Sequence, residues 1–514
     1  MDTLPQDIID HIVTYLLADG SKPRQPYAYL HPRLSRAALA TVSRRLQTAV
    51  ERWTFRDIRI NSDELEKLIE LLTPARRTFL AGLEFVPILR RYKDASSARA
   101  ESPAERAAND ESYTRAMQSL LEALKAWEEE DPHSVNYRLR LSINVPQSRS
   151  DRVWPGIFPQ WKALLPKGNC IYEGRYLHSY IDLLRPEQLP EVHRVNHLVM
   201  IRPDEKRIHR NVCPKVPFML ASKMPNLESV DFSVDDSEER FLDLRRLNRQ
   251  EAADVMKGVS LPELESARLD FWHRRYRNEA TVPPHLHGVN IPDPLSAAVC
   301  DFSMSLMNLE VAGIFDPGLL QPLSQAPWPN LQTFSIELEP ISPSGQWYFL
   351  ESQPPSQPPM DRPSSEFSYK NLHQEQFSFR REASYASQRP ADAFRGRVNE
   401  KALAPFVEAY ANALSVMPKL VSSKLVCNLD FHSETLPEPP SFQIAYFAPG
   451  AYSKSGLVHL NYNTRQLVTS LLGWVPSADL MTKLRGIQDA YRIEPMKEMD
   501  VGDSFEKQME ALQI

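Results

Sequence analysis

The sequence predicts an α/β protein in which a short helical unit precedes a larger body of helices laid over strands. Three observations carry this. Segments of helical period are followed, several times over, by segments of period two, the order that places helices against a sheet. A weak internal repeat, a proline then a leucine and a short apolar stretch, recurs from residue 224 onward. Proline outnumbers glycine by 43 to 16, which argues for proline-punctuated junctions and against glycine-rich phosphate loops.

The chain opens on Leu4-Pro5 and a run in which Ile8, Ile9, Ile12, Val13, Leu16 and Leu17 are apolar, a spacing that stacks them along one side of a helix. Pro5 falls in the first turn, where a proline is tolerated, and Asp7 lies near the positive end of the helix dipole. Thr3 and Gln6 have the spacing of a capping box. A second amphipathic segment carries Leu39, Val42, Leu46, Val50 and Trp53, and Ser43 is placed to cap a new helix and divide the segment in two. Residues 55 to 60 then read as a strand. Three short helices bury little surface, because fewer than about forty to sixty residues make a marginal core. Such a unit leans on the domain behind it, on a partner, or on both.

Leu4-Pro5, the isoleucine-rich helix and Leu39-Ala40-Thr41-Val42-Ser43-Arg44-Arg45 together resemble an F-box, as found in fungal F-box proteins. An F-box is the helical module by which ubiquitin-ligase receptors dock on the Skp adaptor of Skp–cullin–F-box complexes. The family's Leu-Pro start, isoleucine-rich first helix and Val-Ser-Arg turn are present; the link from Leu17 to Leu34 is longer than usual, and Leu46 stands where an aromatic is often found. The resemblance implies a non-catalytic substrate receptor. Leu4, Pro5, Ile8, Ile12, Leu16, Leu39 and Val42 would form an apolar patch buried by a Skp-type adaptor, through it a cullin, while the remaining chain holds an unidentified target protein. Ile9, Val13, Leu46 and Trp53 are assigned to packing against residues 55 to 90. A scaffold or interaction protein outside ubiquitin ligation, its opening helices merely capping the body, is the alternative.

In the body, residues 63 to 72 have helical period, Leu83 to Val86 reads as a strand, and the polar residues 94 to 109 read as a loose loop. Tyr113, Met117, Leu120, Leu121, Leu124 and Trp127 mark a helix from about Glu111 to Glu128. Tyr137, Leu139, Leu141, Ile143 and Val145 alternate like a strand with one buried face, and residues 195 to 201 supply another. Then comes the repeat: Met224-Pro225-Asn226-Leu227, Leu261-Pro262-Glu263-Leu264, a fainter Met307-Asn308-Leu309, Trp328-Pro329-Asn330-Leu331 and Met417-Pro418-Lys419-Leu420. A helix ends before proline, a leucine enters the core, and a strand follows. This resembles an irregular leucine-rich-repeat solenoid, whose units hide their apolar sides by stacking on one another. The steps between leucines are 37, 45, 22 and 89 residues and no asparagine ladder is visible, so a non-repetitive α/β domain is the alternative.

The longest step contains residues 340–365, whose Gln353-Pro354-Pro355-Ser356-Gln357-Pro358-Pro359 predicts an extruded, polyproline-like disordered loop. Structure resumes with a helix from about Glu400 to Val416, in which Pro405 implies a late start or a kink. Strands are expected at residues 424–431, 442–447 and 457–462, and a helix at 478–491. The expected divisions are thus 1–54, the F-box-like unit; 55–338, the repeat-like α/β domain; 339–397, the Pro/Ser-rich insertion; and 398–505, its continuation.

Composition is that of an ordinary globular protein, 42% hydrophobic and 25% charged. A net charge of −6 with interspersed signs predicts no nucleic-acid partner. Apolar runs such as residues 467–475 fall short of the about twenty needed to cross a bilayer, and the acidic start is unlike a signal peptide, so no membrane partner is expected. Cysteines at 170, 213, 300 and 427 lack ligand spacing and fit a reducing compartment, cytoplasmic or nuclear. No Gly-x-Ser-x-Gly, Walker-type loop, His-Glu-x-x-His or Cys-x-x-Cys is present, so no catalytic residue, cofactor or metal is expected. His285 and His287 lack a companion ligand, and Asp430, His432 and Glu434 read as solvated charges. Arg274-Arg275-Tyr276-Arg277 reads as a surface turn and residues 235–240 as a solvated loop.

Overall fold

Twelve strands lie side by side in one sheet, in the order in which the chain makes them. They are β1 (Asp57–Asn61), β2 (Gly82–Val86), β3 (Leu139–Ile143), β4 (Val195–Met200), β5 (Ser229–Asp235), β6 (Ser266–Trp272), β7 (Asn308–Gly313), β8 (Thr333–Leu338), β9 (Ser422–Asn428), β10 (Ser441–Phe447), β11 (Gln466–Ser470) and β12 (Lys497–Asp500). All pairings from β1 to β9 are parallel; β10 runs antiparallel to both neighbours, and β11 pairs parallel with β12. The computed structural model describes residues 4–18, 36–93, 99–132, 137–151, 175–176, 178–201, 210–273, 276, 279–288, 292–322, 327–351, 395–429, 441–451, 465–487 and 497–500.

Parallel neighbours need crossovers, and helices supply most of them. Three helices precede the sheet: α1 (Gln6–Ala18), α2 (Arg36–Ala40) and α3 (Arg44–Thr54). Between β1 and β2 come α4 (Leu65–Leu71) and the single turn α5 (Pro74–Arg77), and α6 (Pro103–Glu130) follows β2. Then α7 (Val216–Ala221), α8 (Leu242–Gly258) and α9 (Pro294–Phe302) precede β5, β6 and β7, α10 (Glu400–Ser415) precedes β9, and α11 (Ala478–Arg485) lies between β11 and β12. The α/β expectation therefore holds: a large, mostly parallel sheet with helices packed on it. Among the described residues no helix is long and apolar enough to cross a membrane.

Register explains the repeat. Ile58, Leu83, Leu141, Leu198, Val230, Ala267, Leu309 and Phe334 are successive partners across eight strands, so one apolar row runs through the core. Two residues before each of β5 to β9 a leucine closes a tight turn. Leu227, Leu264, Leu306, Leu331 and Leu420 donate their N–H groups to Met224, Leu261, Ser303, Trp328 and Met417. The equivalent of Leu264 is thus Leu306, not the expected Leu309, because Ser266 pairs with Asn308 and Ala267 with Leu309. Trp328 keeps its turn although its φ is +51°; it is fully buried and its Nε1–H donates to Ser303 Oγ at 2.8 Å.

Several expectations are corrected. The loop expected over residues 94–109 ends early, at Pro103. Ser102 caps α6, its Oγ accepting the Glu105 N–H while the Glu105 carboxylate accepts the Ser102 N–H, and Pro103 sits in the first turn. Residues 340–351, expected in the extruded loop, begin as ordered structure: Ile341, Trp347, Tyr348 and Phe349 are buried, and Phe349–Glu351 pairs with Arg395–Val398. Residues 352–394, the strand expected at 457–462, Thr3, and Asp430, His432 and Glu434 lie outside the described residues. α10 runs through Pro405 from Glu400, so the proline neither delays nor ends it.

Two apolar clusters are distinct. The main core runs from Ile60 to Ile487. Ile9, Val13, Leu46, Ala49 and Val50 form a cluster of their own, with Trp53 beside it, rather than packing on residues 55 to 90 as expected.

Candidate functional site

The N-terminal helices carry the candidate surface, and sequence builds it locally. Ser43 is extended (φ −158°) and its Oγ accepts the Leu46 N–H at 3.3 Å, so α2 and α3 are separate helices, as its cap position implied. Ile9 and Val13 on α1 are sealed against Leu46, Ala49 and Val50 on α3. Polar ties lock this pairing. Gln6 Nε2 donates to Asp10 Oδ1 (2.9 Å) and to the Arg45 carbonyl (3.1 Å), Arg45 Nη1 donates to the Leu4 carbonyl (2.7 Å), and Arg52 pairs with Asp10. The Arg45 contacts bring the Val42 turn beside the start of α1.

Of the residues assigned to a partner, Leu4 and Leu39 pack against this cluster, while Pro5, Ile8, Leu16 and Val42 are exposed. Ile8, Ile12 and Leu16 recur every four residues on the line adjoining Ile9 and Val13. Ile8 is 44% exposed, Leu16 43% and Val42 67%; Pro5 is exposed, and Leu4, Ile12 and Leu39 are half-buried. None of the seven is sealed in a core. Tyr15, 80% exposed, extends the strip and was missed, although it stands one helical turn beyond Ile12 and the same periodicity finds it. Large apolar side chains left half in water each forgo on the order of 1 kcal/mol of burial, and contiguous exposure of this kind marks interaction surfaces.

The sheet offers a second surface. Residues alternating with the core row form a mostly polar row in register, with Arg59, Glu84, Asp231, Arg268, Glu310 and Lys424 exposed or half-buried along it and the buried Val199 interrupting it on β4. Arg59 lies 3.4 Å from Glu84 and Arg268 3.8 Å from Glu310, so ion pairs mark the row on either side of Val199.

A third cluster is buried, and it overturns the reading of residues 235–240 as a solvated loop. Asp235, Asp236, Glu238 and Arg240 are all buried. Asp236 accepts from Arg245 Nε at 2.9 Å and from Arg249 Nη1; Arg249 Nη2 donates to Asp293 Oδ2 (2.7 Å) and to the Ile314 carbonyl (3.0 Å); and Asp293 caps α9 through Ser296. Burial alone would raise the Asp236 carboxyl, but the two guanidiniums hold it below the usual carboxylate range. The chain of ions ties the loops after β5 and β7 to α8 and α9. The signal available in the sequence was Arg245 and Arg249, four apart on an amphipathic helix.

Among the described residues no three His, Cys, Asp or Glu side chains converge as metal ligands. His285 contributes its carbonyl to Arg246 Nε at 2.9 Å, and His287 Nδ1 lies 2.7 Å from the Gly288 carbonyl. Of the basic tetrapeptide only Tyr276 is described, and it is buried against His273 and Trp347. Comparison with protein-family models, with curated proteins and with solved structures found no match.

Proposed function

We propose that this chain is a substrate receptor of F-box type. In this reading α1–α3 dock on a Skp-type adaptor, and through it a cullin, while an irregular leucine-rich-repeat-like solenoid holds a target protein for ubiquitination. The observation that carries it is the partition of α1: Ile9 and Val13 face the unit's own core, whereas Ile8, Ile12 and Leu16, with Val42, face away from it. A helix that merely capped the body would hide those side chains against the sheet. The chain-order sheet, with a leucine turn before successive strands, supports the solenoid half of the reading. Its polar face is the region we assign to the target.

The receptor performs no bond chemistry itself. It raises the effective concentration of target lysines near the ubiquitin-charged enzyme, in the cytoplasm or nucleus where such ligases act. Affinity purification of the full chain tests this. Adaptor and cullin are expected with the wild type and absent with Val42→Asp, whose exposed site leaves the fold intact, while proteins held by the sheet remain. If neither protein accompanies the wild type, the chain is a scaffold outside ubiquitin ligation.

A further inference from the structure

The junction between the N-terminal unit and the sheet is made differently from the rest of the molecule. Trp53 belongs to the small cluster and Phe55 to the main core, and the two cores do not merge. A joint between separate apolar cores swings freely unless something polar braces it. Here residues 73–80, around α5, do so with arginines reaching in both directions.

Toward α3, Arg76 Nη2 lies 2.9 Å from Glu51 Oε1, its guanidinium sits 4.8 Å from the centre of the Phe55 ring, and its Nη1 donates to the Leu71 carbonyl at 3.1 Å. Arg52, paired with Asp10 of α1, lies 5.4 Å from the Phe79 ring centre. Toward the body, Arg77 lies 5.1 Å from the Trp127 ring centre, pairs with Glu130 on α6, and donates from Nε to the Leu72 carbonyl at 2.8 Å. Arg194, 1% exposed at the start of β4, donates from Nη2 to the carbonyls of Arg77 (2.6 Å) and Leu80 (3.0 Å). The turn is therefore anchored to α6 and β4 on one side and grips α3 on the other, with α1 reached through the Arg52–Asp10 pair.

We infer that residues 73–80 form a strut, with Arg52 and Arg76 as positioning residues, that fixes the angle between the N-terminal helices and the sheet. The use of such a strut rests on the receptor reading: proximity works only if the adaptor-docking face and the target-holding face keep a set orientation. The strut itself does not depend on that reading. Planar guanidiniums stacked on Phe55 and Phe79 define direction as well as distance, which a lysine cannot do.

The test is a distance distribution in the full chain, measured by pulsed electron spin resonance without adaptor. Spin labels go on His11→Cys and Glu263→Cys, both exposed sites, in a Cys170→Ser background; Cys213, Cys300 and Cys427 are buried. One narrow population is expected. Arg52→Ala/Arg76→Ala should broaden it roughly twofold while α1 and α3 keep their amide protection. Arg76→Lys should fall between, retaining the Glu51 pair without the stacked plane, and Arg268→Ala, on the polar sheet face, should change nothing. A broad wild-type distribution, or a double variant as narrow as the wild type, would overturn the strut. So would loss of protection in α1 and α3, which would make these arginines part of the unit's own fold. Adaptor binding is read separately, so failure of docking and failure of the strut are distinguishable.

Discussion

Asp236→Ala removes the carboxylate that lies between two buried guanidiniums. Asp236, Arg245 and Arg249 are 3%, 1% and 2% exposed at their side chains, so water cannot replace what is lost. Each charge-assisted hydrogen bond contributes about 1.5–3 kcal/mol, and breaking a buried pair by deleting one partner costs about 3–5 kcal/mol. Arg249 retains Asp293 at 2.7 Å, whereas Arg245 keeps a 3.4 Å approach to His273 Nδ1 and the coulombic attraction of Glu239, so most of the cost falls on Arg245. We expect a loss of about 3–4 kcal/mol. The assay is urea unfolding together with native-state hydrogen exchange in β5 to β7, where protection should fall most. Asp243→Ala is the control: it breaks the exposed pair with Arg246 on the same helix and should cost less than about 0.5 kcal/mol. Because the Asp236 carboxyl is held low, the contribution is full above the ordinary aspartate range and fades as pH falls below it. An Asp236→Ala cost under about 1 kcal/mol, or one matching the control, would mean that these charges are solvated and that the ionic chain does not hold these loops to α8 and α9.

Asp110 on α6 is raised from 3.8 to about 6, first by burial and then by Asp182 and Glu101, although it accepts the Asp182 N–H at 2.9 Å. Folding therefore takes up a proton between those pH values, and the group's contribution to stability improves as pH falls from above 6 to below 3.8. Asp110→Asn should stabilise the protein at pH 7.5 by on the order of 1 kcal/mol after discounting its partial exposure, and by much less at pH 4, as thermal melts at the two values will show. Gly313 ends β7 at φ +146°, and an added Cβ would come within 3.0 Å of Phe271 Cβ and 3.1 Å of the Phe315 ring. Gly313→Ala should cost about 1–3 kcal/mol in urea unfolding, from both the backbone conformation and the crowding.

Periodicity made much of this fold legible. The alternation around Leu139, Leu141 and Ile143 and the helical stripe from Tyr113 to Trp127 depend on neighbours a few residues away, and both elements formed there, although the helix begins earlier than its stripe, at Pro103. The inner and outer lines of α1 could also be told apart, since Ile9 and Val13 sit one position on from Ile8 and Ile12 and so turn about 100° away. What eluded sequence was long-range. Whether Asp236 is solvated depends on Arg245 and Arg249 arriving from the next helix, and no local pattern in a run of charges encodes that. Leu306 was passed over for Leu309 because one lies just before β7 and the other just inside it, and only register separates them. The separate core of α1 and α3 was unforeseen for the same reason: an apolar side chain declares that it will be buried, not against what.

The central claim is that the outer line of α1, with the Val42 turn, is buried by a Skp-type adaptor. Calorimetry with the purified adaptor and the full chain tests it directly. Tight one-to-one binding is expected for the wild type, with Ile12→Asp and Val42→Asp each weakening it by about 2 kcal/mol or more, roughly thirtyfold, at unchanged thermal stability. Wild-type affinity in both variants, or no heat from the wild type itself, would contradict the account.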